Sequence, residues 1–150
     1  MPTNTAGSKG YNPQAISTKS IRGRYMTYSD LQDTTDTNYL TVAIIPPNSI
    51  IIDGYSMVIE GFNDTNGDDL HIGELIGSTS DPDQYDTSFD MNTADVHTQW
   101  NSIADSERYS TSERTITANL ETAASDDGTT GKVFVYVEYI TILEKSGIVQ

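Results

Sequence analysis

Cysteine is absent from the 150-residue chain. A disulfide framework, a thiolate zinc site and a cysteine nucleophile are excluded together, in keeping with assembly in a reducing cytoplasm. No window reaches the roughly 18 consecutive apolar residues of a membrane-spanning helix. The opening residues Met1-Pro2-Thr3-Asn4-Thr5 lack the apolar centre of a secretory signal. Basic residues are scarce: 8 Lys and Arg against 22 Asp and Glu leave a net charge of −14. Residues 25–107 hold sixteen acids and no base, whereas residues 1–24 hold Lys9, Lys19, Arg22 and Arg24 with no acid. So acidic a body repels a phosphate backbone, which argues against nucleic acid as a partner. The same self-repulsion favours solubility at high local concentration. Missing too are the Gly-x-Ser-x-Gly elbow, the P-loop and the Gly-x-Gly-x-x-Gly turn.

Hydrophobic residues make up only 35% of the chain, and mean hydropathy is −0.45. They cluster in residues 39–45, 50–59 and 133–143. Clustering of this kind fits a thin sheet-on-sheet core with long polar loops better than a thick α/β core. Residues 1–20 are rich in Gly, Ser, Thr, Asn and Pro and show no periodicity, which predicts an extended N-terminal arm. Residues 21–150 form one domain, a size that buries roughly 68–70% of the surface the unfolded chain exposes.

Within that domain the strand pattern recurs. Residues 21–28 and 39–45 are short β-rich runs, the second ended by Pro46-Pro47-Asn48-Ser49. In residues 50–62, Tyr55, Met57 and Ile59 alternate with Ser56, Val58 and Glu60, while Gly54 predicts a bulge or a close backbone approach. Asn66-Gly67 in the following turn predicts a hairpin to residues 70–76. Residues 77–112 are weakly periodic and contain Asp81-Pro82-Asp83. A long loop with short strands, Asp81-Pro82-Asp83 being loop, or one short helix around residues 94–100, is expected there. Residues 114–120 place Ile116, Ala118 and Leu120 opposite Thr115, Thr117 and Asn119. Residues 132–143 place Val133, Val135, Val137 and Tyr139 opposite Phe134, Tyr136, Glu138 and Ile140. Twenty threonines and nine tyrosines favour strands. The expected fold is all-β, an antiparallel β-sandwich of the jelly-roll kind with an extended N-terminal arm.

Chemistry is thinly represented. The two histidines, His71 and His97, show no metal-ligand spacing, and His71 falls on the polar face of a strand pattern. Asp64-Thr65-Asn66-Gly67-Asp68-Asp69 imitates the start of an EF-hand loop. Its glycine stands fourth instead of sixth, and Leu75 occupies the twelfth position. A turn with solvated acids is the simpler reading, and a looser oxygen site shared with another loop is the alternative. Glu60 and Glu138 sit within strand patterns and are expected to point outward rather than pair for glycoside cleavage. Tyr28, Tyr39, Tyr85, Trp100 and Tyr109 are candidates for a sugar-binding face or, more simply, for core and interface. No catalytic, metal or cofactor-binding residue is nominated.

One stretch carries a resemblance. Ile45-Pro46-Pro47-Asn48-Ser49 leads into a strand with Asp53, Tyr55, Glu60, Phe62 and Asn63. Asp69-Leu70-His71-Ile72-Gly73, Asp81-Pro82-Asp83 and the late strand from Gly131 to Tyr139 follow. This sequence resembles bacteriophage virion β-sandwich proteins, most of all capsid decoration (cement) proteins. The resemblance implies a non-enzymatic, commonly trimeric subunit on the outer surface of the capsid, bound to the major capsid protein, without cofactor and apart from membrane or nucleic acid. A neck or tail-fibre module recognising a host glycan is the alternative. The arm would contact a neighbouring subunit or the shell through Lys9, Tyr11, Ile16, Lys19, Arg22 and Arg24.

Overall fold

A computed structural model describes residues 19–101 and 103–142. Nine strands and two one-turn helices follow in order: β1 (Lys19–Thr27), α1 (Tyr28–Leu31), β2 (Leu40–Ile45), β3 (Ser49–Glu60), β4 (Asp69–Ile76), β5 (Thr79–Asp90), β6 (His97–Gln99), α2 (Asp105–Arg108), β7 (Tyr109–Ser110), β8 (Arg114–Leu120) and β9 (Lys132–Thr141). One sheet runs β1-β9-β3-β6, with β7 pairing onto β3, and the other runs β2-β8-β4-β5. Every pairing is antiparallel. The chain crosses between sheets at nearly every connection, and eight principal strands in this order are a jelly roll.

Period-two alternation supplies the core. Along β9, Val133, Val135, Val137 and Tyr139 point inward and are 0–2% exposed. Met26, Ile51 and Val58 complete that layer, facing Val42, Ile45, Leu70, Ile72, Ile116 and Leu120 from the other sheet. In β3 the inward side is the less hydrophobic one. Gly54, Ser56 and Val58 face the core, while Tyr55, Met57 and Ile59 face outward. Trp100 explains this, because its indole lies across the small residues. A Cβ at Gly54 would come within 2.1 Å of Trp100 Cε3. The indole N–H donates to Ser56 Oγ at 3.1 Å, and the ring stacks on Tyr85 with centroids 5.5 Å apart. The close approach expected at Gly54 is therefore made by a side chain.

Three local expectations are corrected. The turn after β3 is not a hairpin, because β3 and β4 lie in different sheets. Asn66-Gly67 sits in a crossover, and the tight hairpin is β4–β5, where Ile76 pairs with Thr79 and Gly77 takes a φ of +60°. Asp81-Pro82-Asp83 is no loop but part of β5, where Pro82 is tolerated because β5 is an edge strand. Strand β6, not a helix, occupies 97–99, and the helical turn falls later, at α2.

Candidate functional site

Two polar clusters inside the sandwich are structural in their geometry. Asp64 is 4% exposed, so its acid is not solvated. Its carboxylate accepts from Tyr28 Oη at 2.7 Å, the N–H groups of Asn66, Gly67 and Ser125 at 2.9, 2.5 and 3.1 Å, and Ser125 Oγ at 3.0 Å. Burial opposes its ionisation, but these donors outweigh burial and hold the carboxyl well below the usual carboxylate range. Five donors occupy the oxygens a cation would need. The second cluster joins Glu74 to the Tyr85 hydroxyl and to Arg114 Nη1 at 3.4 Å. Arg114, 1% exposed, also donates to the carbonyls of Glu107 and Arg108 at 2.5 Å each, so it ties the last turn of α2 to the sandwich. Burial raises the Glu74 carboxyl, partly offset by Tyr85 and Arg114.

His71 is buried rather than on an open polar face. Nδ1 lies 3.2 Å from Asp36, whose carboxylate also accepts from Asn119 Nδ2 at 2.9 Å, so the segment between α1 and β2 covers β4 and β8. Glu60 and Glu138 do not meet. Glu60 pairs with Lys132 and Glu138 with Asp53, and six residues of extended β9 between those registers span roughly 20 Å. Paired glycosidase carboxylates lie about 5–9.5 Å apart.

The surface with the strongest chemical character is the outer face of the β1-β9-β3-β6 sheet. Tyr25 of β1 stacks on Phe134 of β9 at 4.5 Å, and Phe134 on Tyr136 at 5.4 Å. Tyr136 stacks in turn on Tyr55 of β3 at 5.1 Å, and Tyr55 meets His97 of β6 at 5.3 Å. Register explains the ladder: Tyr25 opposes Phe134, Tyr136 opposes Tyr55, and Met57 opposes both Phe134 and His97. Gly23, opposite Tyr136, clears the row, since a Cβ there would lie 2.6 Å from Tyr136 Cβ. Each aromatic pair contributes about 0.5–1.5 kcal/mol beyond area burial.

Hydrogen bonds fix the His97 end of the row. His97 Nε2 lies 3.0 Å from Tyr136 Oη, and Tyr55 Oη donates to Asp53 at 3.3 Å. Burial and the nearby carboxylates Asp53 and Glu138 raise both phenols. Apolar exposure continues around the ladder, with Ile21 60%, Tyr25 61% and Ile59 38% exposed. These side chains and the stacked rings share the outer face of one sheet.

Sequence alternation had placed Phe134 with Tyr136, and Tyr55 with Met57 and Ile59, on common faces. It could not say that β9 and β3 are neighbours, nor that His97 joins them. Of the five aromatics singled out for a sugar-binding face, Tyr28, Tyr85 and Trp100 are buried in the core, and the outer ladder uses different residues. Of the arm candidates, Lys9, Tyr11 and Ile16 lie outside the described residues. Lys19, Arg22 and Arg24 lie on β1. Lys19 Nζ is 2.9 Å from Glu138, Arg22 Nε donates to Tyr139 Oη at 3.2 Å, and Arg24 Nη1 donates to the Thr41 carbonyl at 2.9 Å.

The fold defines a small all-β jelly roll, an architecture that hosts capsid, lectin and enzyme domains alike. Solved structures with this fold include chains from three phage capsids. A chain in the capsid of Ralstonia phage GP4 superposes with a TM-score of 0.59 at 11% identity, covering 89% of this chain and 91% of that one. A chain in the acidic stable capsid structure of Helicobacter pylori bacteriophage KHP30 gives 0.55 at 12%, covering 86% and 95%. One in the cyanophage Pam1 capsid asymmetric unit gives 0.50 at 16%, covering 84% and 86%. These neighbours are chains of similar length, and what they share with this chain is the fold. No family model matches the sequence, and no curated protein matches it.

Proposed function

We propose that the protein is a non-enzymatic structural subunit of a phage particle, a decoration protein that sits on the outside of the head and stabilises the assembled shell. The aromatic ladder carries this reading. It is a rigid apolar platform on an otherwise acidic protein, and it is built from the tyrosines that dominate protein interfaces. The fold shared with chains of three phage capsids supports it. A subunit that binds the closed shell better than separated capsomers stabilises the closed state by mass action. The partner is the major capsid protein, and the subunit acts as a homo-oligomer, a trimer in the simplest case. Residues 1–20 add contacts through Lys9, Tyr11 and Ile16.

A second reading has one observation in its favour. Stacked aromatic rings also suit the apolar faces of sugar rings, as a neck or tail-fibre module recognising a host glycan requires. Co-sedimentation with particles lacking the protein, run beside a glycan array, separates the two. Decoration predicts particle binding that is lost in a Tyr25→Ser/Tyr136→Ser variant, together with a blank array. Glycan binding without particle binding would overturn it.

A further inference from the structure

Charge is distributed over the two lateral edges of the sandwich in a way that the ladder does not use. Strands β1 and β2 form one edge, and β5 and β6 form the opposite edge. Between β1 and β2 lies an open groove of about 730 Å³. Ile21, Arg22 and Gly23 line one side of it, and Thr41, Ala43 and Ile44 the other. Among the described residues neither β1 nor β2 has a strand on its outer side, so each presents unpaired backbone groups there. The lining is mixed: Arg22 is its one base, with Arg24 further along β1, and Ile21 and Ile44 are its large apolar side chains. Arg22 and Arg24 have no carboxylate within 4 Å among the described residues, and Ile21 and Ile44 are 60% and 50% exposed.

At the opposite edge β5 exposes Asp81, Asp83 and Asp90, none in an ion pair among the described residues. The carboxyl of Asp81 is raised by partial burial and by Asp83 and Glu107 beside it. That of Asp69, on the neighbouring strand, is raised by partial burial and by Asp68, Glu121 and Asp90. The acids of this edge thus crowd one another without a counter-charge.

We infer that the basic β1/β2 groove of one copy receives the acidic β5 edge of a second copy, so that copies associate head to tail. A two-fold contact would set Arg22 and Arg24 against their own copies at one edge, or Asp81 and Asp83 against theirs at the other, and both repel. Opposite charge therefore selects the heterologous contact, which closes into a ring or runs on as a chain. Charge steers the approach and sets register. Apolar contact at Ile21 and Ile44, with backbone pairing along the free strand edges, holds it. Ile21 borders both surfaces, but none of the stacked rings takes part in the contact, so substitutions at the charged edges and at the rings are separable.

Sedimentation velocity of the full chain from about 1 to about 100 micromolar, a range that brackets micromolar dissociation constants, tests the inference. The expected result is concentration-dependent growth beyond the monomer that weakens as salt rises. Asp81→Lys/Asp83→Lys, on an exposed edge, and Arg22→Glu/Arg24→Glu should each weaken self-association at least about tenfold, with unchanged circular dichroism. Mixing the two variants should restore association, because each supplies the edge that the other has lost. A monomer at every concentration, as when residues 1–18 fill the groove in cis, would overturn the inference. So would variants that associate like the parent, or a folded mixture that fails to associate.

Discussion

Gly54 and Trp100 make the packing against β3 testable through a change of sign. Glycine in a strand interior ordinarily costs about 0.5–1 kcal/mol relative to alanine, so Gly54→Ala on an open strand would stabilise. Here the new Cβ would stand 2.1–2.3 Å from Trp100 Cε3, Cδ2 and Cζ3, far inside contact distance. The indole must move, and overpacking costs about 1–3 kcal/mol. Movement also breaks its bond to Ser56, worth about 0.5–1.5 kcal/mol. Net destabilisation of about 0.5–4 kcal/mol follows, a fall in Tm of about 1–16 °C for a chain of this size. In a Trp100→Leu background the obstruction is gone, and Gly54→Ala should become neutral or stabilising. Thermal and urea melts of the four proteins close the double-mutant cycle. Trp100, the sole tryptophan, also reports by fluorescence on whether its ring has moved. Equal destabilisation by Gly54→Ala in both backgrounds would refute this packing.

Trp100→Ala should cost about 3–5 kcal/mol in the same melts, as expected for emptying a large buried aromatic site. Asp64 is held below the ordinary carboxylate range, so its contribution to stability is complete above about pH 4 and lost as pH falls further. Asp64→Asn should lower Tm at pH 7, and its deficit against the parent should narrow at about pH 2–3, whereas a constant deficit would sever the link to ionisation. Because five protein donors already hold that carboxylate, millimolar calcium should leave Tm where equal ionic strength of magnesium leaves it, and a calcium-specific rise would contradict this. Deleting residues 1–18, which spares β1, should leave Tm of the sandwich within a few degrees while reducing particle binding. Unchanged particle binding would remove the arm from the mechanism.

The alternation in residues 132–141 is legible because Val and Tyr139 take one face without interruption, and the structure buries that face. The same rule misleads at β3. There the more apolar set, Tyr55, Met57 and Ile59, faces outward, since the core side is reserved for an indole 44 residues away. Asn66-Gly67 reads as a hairpin by local turn chemistry. What decides its role is sheet membership, and that depends on β8 and β9 far downstream. The ladder was half legible. Period two assigns each ring to a face, but strand neighbours come from tertiary pairing, so His97 and Tyr25 could not be placed beside Tyr55 and Phe134. The three bases Lys19, Arg22 and Arg24 looked like part of an arm because the glycine- and serine-rich composition runs up to them. The β-rich pattern beginning there is β1 itself, and its register with β9 fixes all three.

Imaging particles with and without the protein, at a resolution that orients the sandwich, tests the central proposal most directly. Added density is expected on the outer surface of the head, with the β1-β9-β3-β6 face turned toward the shell and Tyr25, Tyr136 and Tyr55 at the contact. Density confined to neck or tail, or a head-bound sandwich with its ladder facing solvent, would contradict it.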